Sequence, residues 1–187
     1  EKGALKNKLG LMDQKSIDDA EALLLADAYE YFFERLRDEK VDFNLSLFFA
    51  IHKYFLGPLY DWAGKMRLVD ISKNDMLFAP VAHLNQTNKQ FEHVLKTNLP
   101  EEKEAKAVVA RKLAVIHNEF NAIHPFREGN GRTLRLFLDL LATHAGYDPI
   151  KYGPILMSYT KACVAGMRGE NKKMECLIYR GLRKKSH

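Results

Sequence analysis

The residues best suited to chemistry lie close together in the segment 124–135, which reads His-Pro-Phe-Arg-Glu-Gly-Asn-Gly-Arg-Thr-Leu-Arg. It combines a histidine, a carboxylate, a glycine-flanked asparagine and two spaced arginines. Taken singly, residues of these types most often form an ordinary turn with exposed side chains. Their joint occurrence between two predicted helices is much harder to produce by chance, so the segment is predicted to be a functional site.

Gly129 and Gly131 flank Asn130 immediately before a predicted helix. Glycine lets the backbone turn inward, so that N–H groups point where the positive end of the helix also points. Asn130 tolerates a left-handed backbone, and its amide is suited to donate to an oxyanion. The segment is therefore predicted to bind phosphate groups.

Arg132 and Arg135 lie three residues apart and project from the same side of that helix. Cations are unfavourable at a helix N-terminus, and an anion bound between the two arginines would remove this penalty. The polyphosphate of a nucleotide carries enough charge to contact both guanidinium groups. Glu128 would then face phosphates unless a divalent cation lies between, which predicts Mg²⁺ held by this carboxylate and by phosphate oxygens.

His124 lies at the start of the segment. An unperturbed histidine has a pKa of about 6.5, so at neutral pH His124 is mostly an uncharged base, suited to take a proton from an incoming hydroxyl group. Phe126 alternates with the polar residues and is predicted to pack inward as the anchor of the loop. His52, on an apolar helix face, is interpreted as a satisfied interior imidazole and is assigned no role.

Helical periodicity dominates the rest of the chain. Ser16, followed by two acids, is predicted to cap the first helix, and Asn44 is predicted to cap the second. A long helix is predicted to end at His124, because a residue before proline avoids the α region. The predicted helices are 16–37, 45 to Gly57-Pro58, 81–95, one that starts near Pro100-Glu101-Glu102 and ends at His124, 132–145, 152–165 and 170–182.

The helical period fails between Trp62 and Pro80. Two short β-like runs, 68–71 and 76–78, flank Lys73-Asn74-Asp75. This pattern predicts either one small hairpin or a plain connecting loop. A lone hairpin must lean on the helices, and it offers an edge with which another chain can pair.

The composition is typical of one folded domain, since 47% of the 187 residues are hydrophobic. The formal net charge of +5 comes from residues 161–187, whereas the rest of the chain is close to neutral. A basic end on a neutral body is more typical of a solvated segment than of a nucleic-acid groove, so nucleic-acid binding is not expected.

The two cysteines, Cys163 and Cys176, imply no disulfide framework and are expected to be core thiols in a reduced compartment. No run approaches the roughly 20 apolar residues that cross a bilayer, so no membrane partner is expected. The expected location is the cytoplasm, or the cytosol of another cell after delivery.

The segment 124–135 resembles the signature of the Fic family, His-x-Phe-x-(Asp/Glu)-Gly-Asn-Gly-Arg-x-x-Arg, and every fixed position is matched. Other stretches look like the family's usual order of elements, so the resemblance covers most of the chain: Lys8-Leu9-Gly10, 57–64, Arg67, Ile71-Ser72-Lys73 and Phe78-Ala79-Pro80. It implies an all-α Fic fold, a helical bundle with a small β-hairpin flap at about 68–80, in one domain over residues 1–187.

The resemblance also implies a protein adenylyltransferase, which transfers AMP from ATP to a Ser, Thr or Tyr hydroxyl of a target protein. His124 would be the general base, Glu128 the Mg²⁺ ligand, and residues 129–131 the anion-binding loop. Arg132 and Arg135 would hold the β and γ phosphates. The flap would align the target by strand pairing through Ile71, Ser72, Lys73 and Phe78.

Three alternatives stay open. One is phosphate transfer, as in relatives whose loop lacks the second glycine, against which Gly131 argues. Another is transfer from a different nucleotide. The third is a non-catalytic module of a toxin–antitoxin pair, against which the intact His124 and Glu128 argue.

Many Fic proteins carry an inhibitory helix with the pattern Ser/Thr-x-x-x-Glu-Gly/Asn, whose glutamate pairs with the second arginine of the motif. No segment of this chain has the full pattern. Arg135 is therefore predicted to be restrained, if at all, by a separate antitoxin-like protein or by a segment outside this chain.

Overall fold

The computed structural model describes residues 5–73, 76–152 and 156–185, so the predicted hairpin turn at Asn74 and Asp75 lies outside the described residues. Within these ranges the chain forms seven α-helices and one antiparallel pair of strands. The helices are α1 (Gln14–Asp38), α2 (Leu45–Leu56), α3 (Leu84–Asn98), α4 (Lys106–Ile123), α5 (Asn130–His144), α6 (Leu156–Gly166) and α7 (Lys172–Gly181). The strands are β1 (Ser72–Lys73) and β2 (Met76–Leu77), and a 3₁₀ turn at Val81–His83 precedes α3.

Helix α4 lies at the centre of the bundle, where it contacts α3, α5, α6 and α7, while α5 also packs against α1 and α2. Three buried phenylalanine rings join three of these helices. Phe48 of α2 stacks on Phe120 of α4 at 4.3 Å and on Phe137 of α5 at 3.6 Å between ring centres. Burial of large aromatic rings is a major stabilising contribution. This packing fixes α4 relative to α5, and thereby the two ends of the loop that joins them.

The predicted N-cap is confirmed for α2 and wrong for α1. Asn44 caps α2, where its side chain accepts a hydrogen bond from the N–H of Leu47 at 3.1 Å. Asp13, not Ser16, caps α1, which begins at Gln14. The Asp13 carboxylate accepts the N–H of Ser16 at 2.8 Å and so satisfies one of the unpaired donors at the helix start.

Helix α4 ends as predicted but begins later than predicted. It begins at Lys106 rather than next to Pro100, because the intervening residues form a turn. In that turn the carboxylate of Glu104 accepts the N–H of Glu101 at 3.2 Å. Its last residue is Ile123, directly before the residue that precedes proline.

The choice between a hairpin and a plain loop is decided in favour of the hairpin, since β1 and β2 pair in antiparallel register. The first strand follows the stretch 68–71 in which it was predicted, because two residues of that stretch bind elsewhere. The carbonyl of Val69 accepts a hydrogen bond from the Arg67 guanidinium at 2.9 Å. The carboxylate of Asp70 accepts the N–H of Val81 at 2.7 Å.

Both cysteines are free, but the expectation of two core thiols is wrong for one of them. Cys163 is half-buried, whereas Cys176 is exposed. Helix α7 buries Met174 and Ile178, and Cys176 lies midway between them on the opposite face. None of the helices in the described ranges combines the length and the apolar character that a bilayer crossing requires.

Candidate active site

The residues predicted to form the site line one cavity of about 680 Å³ between the α4–α5 loop, the flap and α6. Helix α6 adds Tyr159 and Cys163, neither of which is among the predicted site residues. A cavity of this size suits a small-molecule ligand. The predicted residues in its lining are His124, Glu128, Gly129, Asn130, Gly131, Arg132, Arg135, Ile71, Ser72, Lys73 and Phe78.

Gly129 is the point at which the loop turns into helix α5. Its backbone is left-handed, with φ 80°, and a Cβ atom at this position would lie 2.6 Å from a methyl group of Leu56. The helix was predicted to begin at Arg132. Because Gly129 makes this turn, α5 begins two residues earlier, at Asn130. The first N–H groups of a helix have no acceptor within it, so this first turn lines the cavity with donors.

Asn130 braces the loop from inside. Its Oδ1 accepts the N–H of Phe126 at 2.9 Å, and its Nδ2 donates to the Phe126 carbonyl at 2.8 Å. Phe126 is fully buried, as expected of an anchor. The Asn130 amide was expected to donate to an oxyanion, but the structure engages it in closing the loop.

Gly131 differs from Gly129, because its backbone is not left-handed. A Cβ atom at Gly131 would lie 3.5 Å from the guanidinium of Arg135, which is an ordinary contact. Of the two glycines, only Gly129 is required by the backbone conformation.

His52 of α2, predicted to be an interior imidazole without a role in the site, supports the same loop. Its Nδ1 accepts the N–H of Gly64 at 2.7 Å, and its Nε2 lies 2.9 Å from the carbonyl oxygen of Glu128. Because Nδ1 accepts, Nε2 carries the proton and donates to Glu128. The ring stacks on Phe126 at 3.8 Å, and burial lowers the pKa of His52 to about 4. The interpretation of a satisfied interior imidazole is confirmed, and the imidazole holds the loop backbone.

His124 follows the last residue of α4 and borders the cavity. Its backbone is left-handed, with φ 49°, and its N–H bonds to the Phe120 carbonyl at 2.9 Å. Its Nδ1 lies 3.1 Å from the carbonyl oxygen of Asn121. Since a carbonyl only accepts, Nδ1 carries the proton and Nε2 keeps its lone pair.

The ring of His124 is uncharged at neutral pH. It stacks on Phe78 of the flap at 3.8 Å between ring centres. Burial is the main cause that lowers the pKa of His124 to about 4. An uncharged imidazole with a lone pair on Nε2 is the form that a general base requires.

Arg132 is paired with a carboxylate inside the protein. Its guanidinium forms an ion pair with the buried Glu21 of α1 and lies 3.5 Å from an oxygen of Glu128. The other oxygen of Glu21 accepts the hydroxyl of Tyr60 at 2.9 Å. Glu21 therefore already relieves part of the unfavourable charge of Arg132 at the helix start, whereas a bound anion was the only partner that the sequence indicated. No sequence motif signals the pair, whose members lie 111 residues apart.

Arg135 has different surroundings. Within the part of the chain that the structure describes, no carboxylate lies within ion-pair distance of it, and its guanidinium lies 5.7 Å from the centre of the Tyr159 ring. Tyr159 is held in turn by His117. The Nδ1 of His117 donates to Asn118 at 3.0 Å, so its Nε2 accepts the Tyr159 hydroxyl at 2.8 Å. The aromatic face under Arg135 is thus fixed by buried hydrogen bonds.

Glu128 is exposed enough to meet a cation. Its side chain is 54% exposed, and one carboxylate oxygen accepts the N–H of Gly129 at 2.9 Å. No group of three or more potential metal ligands occurs among the described residues. A single carboxylate beside a loop that is predicted to bind phosphates fits Mg²⁺, which commonly completes its shell with water and substrate phosphates.

A model of the Fic/DOC family matches residues 42–142, which is more than half of the chain. The chain belongs to the Fic/DOC family. One curated relative, protein adenylyltransferase VbhT of Bartonella schoenbuchensis, is 36% identical over 97% of this chain, which spans 38% of VbhT. Another, probable protein adenylyltransferase y4lH of Sinorhizobium fredii, is 32% identical over 77% of this chain and 73% of its own length.

Solved structures share the Fic fold. The BepC protein of Bartonella tribocorum, with bound AMPPNP, has a TM-score of 0.82 and 23% identity over 100% of this chain and 96% of its own. The N-terminal Fic domain of a putative cell filamentation protein of Bartonella quintana, with bound ADP, has a TM-score of 0.83 and 24% identity over 100% of this chain and 94% of its own. The predicted family and the all-α Fic fold are therefore confirmed.

Proposed function

We propose that this Fic domain is a protein adenylyltransferase that transfers AMP from ATP to a Ser, Thr or Tyr hydroxyl of a target protein. The observation that carries the proposal is the place of His124 in the lining of a cavity that it shares with Arg132, Arg135 and the N-terminus of α5, with Nδ1 engaged by the Asn121 carbonyl. The domain is an enzyme of the nucleotidyltransferase class, in which its curated relatives are named. AMPPNP and ADP in two neighbouring structures support a nucleotide substrate.

In the proposed reaction, Nε2 of His124 takes the proton of the attacking hydroxyl while its oxygen bonds to the α phosphorus of ATP. The bond to the β-phosphate oxygen breaks, and pyrophosphate leaves. The first-turn N–H groups of α5, with Arg132 and Arg135, hold the phosphates and stabilise the charge that develops on them. Glu128 would hold Mg²⁺, which when bound neutralises charge on phosphate oxygens. Positioning carries most of the catalysis, and the base adds about 10²- to 10⁴-fold.

The flap is proposed to align the target's backbone beside His124. Ser72 and Lys73 of β1 are exposed and border the cavity, and Phe78 follows β2 and packs on the His124 ring. An extended segment of the target that pairs with the flap would therefore present its hydroxyl near Nε2.

ATP labelled at either the α or the γ phosphate, supplied with Mg²⁺, tests the proposal. Label is expected to reach a target protein, or the domain itself, only from the α position. Label that arrives from the γ position would contradict AMP transfer and would support phosphate transfer.

The variant His124→Ala is expected to lose about 10²- to 10⁴-fold of the transfer rate, because the base is removed. It should keep its affinity for Mg-ATP, because the loop of residues 129–131 is unchanged. His93→Ala, the same change at an exposed histidine, is the control and should transfer at the native rate.

We further propose that any restraint on Arg135 comes from a separate inhibitory protein or from a segment outside this chain. The proposal is supported by the surroundings of Arg135, which include no carboxylate partner in the described ranges. The proposed place of action is a cytosol, where ATP is available and thiols stay reduced, either that of the producing cell or that of a recipient. The named Bartonella neighbour BepC is a VirB-translocated effector.

A further inference from the structure

The guanidinium of Arg67 is buried beneath the flap, and its one ion-pair partner in the described ranges is an exposed carboxylate at long range. Its side chain has 0% exposure, and the nearest carboxylate oxygen within the described ranges, on the exposed Asp70, is 3.8 Å away. A buried charge without compensation is strongly destabilising, so buried arginines are normally paired with acids. In this protein, four hydrogen bonds to backbone carbonyls supplement the long ion pair with Asp70.

Arg67 donates four side-chain hydrogen bonds, and they reach three segments of the chain. Its Nε donates to the His124 carbonyl at 2.9 Å, and its Nη2 donates to the Ile123 carbonyl at 3.3 Å. Its Nη1 donates to the Val69 carbonyl at 2.9 Å, and its Nη2 also donates to the Ala79 carbonyl. Val69 precedes β1 and Ala79 follows β2, so the guanidinium contacts both arms of the flap and the end of α4.

The end of α4 favours a cation at this position. The last carbonyls of a helix have no donors within it and carry partial negative charge. The N–H of Ala79 donates to the Ala122 carbonyl at 3.1 Å, so both polar groups of this flap residue are tied to α4 or to Arg67. The backbone N–H of Arg67 donates to the Pro125 carbonyl at 2.9 Å. The planar arginine guanidinium has five N–H donors and can make this set of hydrogen bonds, whereas a lysine ammonium cannot.

We propose that Arg67 is a positioning residue that couples the flap to His124, so that a target docked on the flap presents its hydroxyl to Nε2. The part of this inference that concerns the hydroxyl rests on the proposed AMP transfer. The rings of His124 and Phe78 stack on each other. Arg67 holds the His124 side of this stack through the His124 carbonyl, and it holds the Phe78 side through the carbonyl of Ala79, the next residue. It does not line the cavity, so nucleotide binding is expected to be independent of it.

The first experiment compares Arg67→Lys with the native protein by proton NMR of the His124 ring. The ring of Phe78, stacked at 3.8 Å, is expected to shift the His124 ring signals upfield in the native protein. The His124 ring signals are assigned by their absence from the spectrum of His124→Ala. The variant Phe78→Leu gives the chemical shift of these signals without the stacked ring. In Arg67→Lys we expect loss of the upfield shift. Arg37→Lys, the same change at an exposed arginine, should keep it.

An unchanged upfield shift in a folded Arg67→Lys protein would overturn the proposal. This readout needs no AMP transfer, so it decides the role of Arg67 even where the proposed function fails.

The second experiment separates positioning from nucleotide binding. In Arg67→Lys the transfer rate from α-labelled ATP is expected to fall by about 10²-fold, the loss that a misplacement of about 1 Å produces. The affinity for Mg-ATP, measured by calorimetry, should stay at the native value. A native transfer rate, or a parallel loss of nucleotide affinity, would contradict a positioning role. Absence of transfer in the native protein would instead contradict the proposed function.

If Arg67→Lys does not fold, the native protein still provides a test. The Nε–H and Nη–H protons of Arg67 should exchange slowly with water in nitrogen-edited spectra, because they are buried and hydrogen-bonded. Exchange as fast as that of an exposed arginine such as Arg37 would overturn the proposal.

Discussion

On one side of the cavity the loop after α4 is embedded in the bundle, whereas on the other side the flap has little support of its own. Phe126, Asn130 and His52 are all at most 3% exposed, and two of them hold the loop backbone by direct hydrogen bonds. The flap has two strands of two residues each, and Ser72–Lys73 and Leu77 are exposed. The two sides of one site therefore differ in how firmly their backbones are held.

This difference in backbone support suits the ligand that each side is proposed to bind. Donors that stabilise charge on phosphates are effective when they are fixed before the substrate arrives. A strand that pairs with a protein target needs an accessible edge, and a two-stranded hairpin is marginal by itself. Changes in the loop should therefore affect stability and nucleotide affinity together, while changes in the flap should affect transfer to a protein alone.

The largest effect on the free energy of unfolding is expected from a change of pH, because it acts on buried histidines of the embedded side. Burial lowers the pKa of His52, His117 and His124 to about 4 each. In the unfolded chain these groups titrate at about 6.5. Between the two pKa values the unfolded state binds more protons, so the free energy of unfolding falls as the pH is lowered through this window. Each histidine contributes about 3 kcal/mol to that loss.

One carboxyl group works in the opposite direction. Burial raises the pKa of Asp139 to about 6, so the folded state binds its proton more tightly than the unfolded state does. Its contribution to stability is therefore lost as the pH rises towards 6, but three histidines outweigh it. Chemical denaturation at a series of pH values measures the sum. His117→Gln should reduce the slope and His93→Gln should not, whereas stability that is constant over the window would contradict the prediction.

The two glycines of the loop test how far the embedded side depends on its backbone. Gly129→Ala is expected to destabilise the protein by about 2 kcal/mol, because a left-handed alanine costs about 1–2 kcal/mol and its Cβ would also meet Leu56. Mg-ATP affinity should fall with it. Gly131→Ala is the matched control for stability alone, since its Cβ has room within the protein and alanine favours a helix, whereas Gly131 itself lines the cavity. Thermal unfolding compares the two variants, calorimetric titration measures the Mg-ATP affinity of Gly129→Ala, and equal losses of stability in the two variants would contradict the prediction.

A similar effect on stability is expected from Glu21→Gln, which keeps the shape of the side chain but removes the charge opposite Arg132. The variant should be less stable by about 1–3 kcal/mol, because a partly buried charge loses its partner. Mg-ATP should raise its unfolding temperature more than that of the native protein, because phosphates then replace the carboxylate. Glu34→Gln, an exposed change on the same helix, is the control. Equal shifts with Mg-ATP in the native protein and Glu21→Gln would contradict this role of Glu21.

The location of the candidate site was predictable because its residues are close in sequence. In the segment 124–135 the spacing itself indicates which side chains share a helix face and which precede the helix, and the structure places the predicted residues around one cavity. Periodicity and proline likewise predicted the end of α4. The pairs Glu21–Arg132 and His52–Glu128 were not predictable, since they join positions 111 and 76 residues apart that only the packing of the bundle brings together.

Errors in element boundaries have a similar origin. The first flap strand was predicted at 68–71, but Val69 and Asp70 are engaged by residues that are not their strand partners. In each case a specific hydrogen bond prevailed over the propensity of the residues.

The smallest effect on the folded domain is expected on the flap, at Leu77, whose side chain is apolar and 78% exposed. Leu77→Ser should change the free energy of unfolding by less than about 0.5 kcal/mol, since it removes no buried contact. Mg-ATP affinity should also be unchanged. Label transfer to proteins of a cell extract is expected to decrease, because exposed apolar side chains beside a site are typical of protein contacts.

Leu23→Ser, at a position on α1 that is 74% exposed, is the matched control and should change neither quantity. If Leu77→Ser weakens Mg-ATP binding as much as it weakens transfer, the flap also shapes the nucleotide site. The contrast between an embedded nucleotide side and a thin protein-binding side would then be wrong. If transfer alone falls, the exposed apolar surface of the flap contributes to target binding beyond backbone pairing, and variants at this position can weaken the enzyme for its targets without disturbing the phosphate-binding loop.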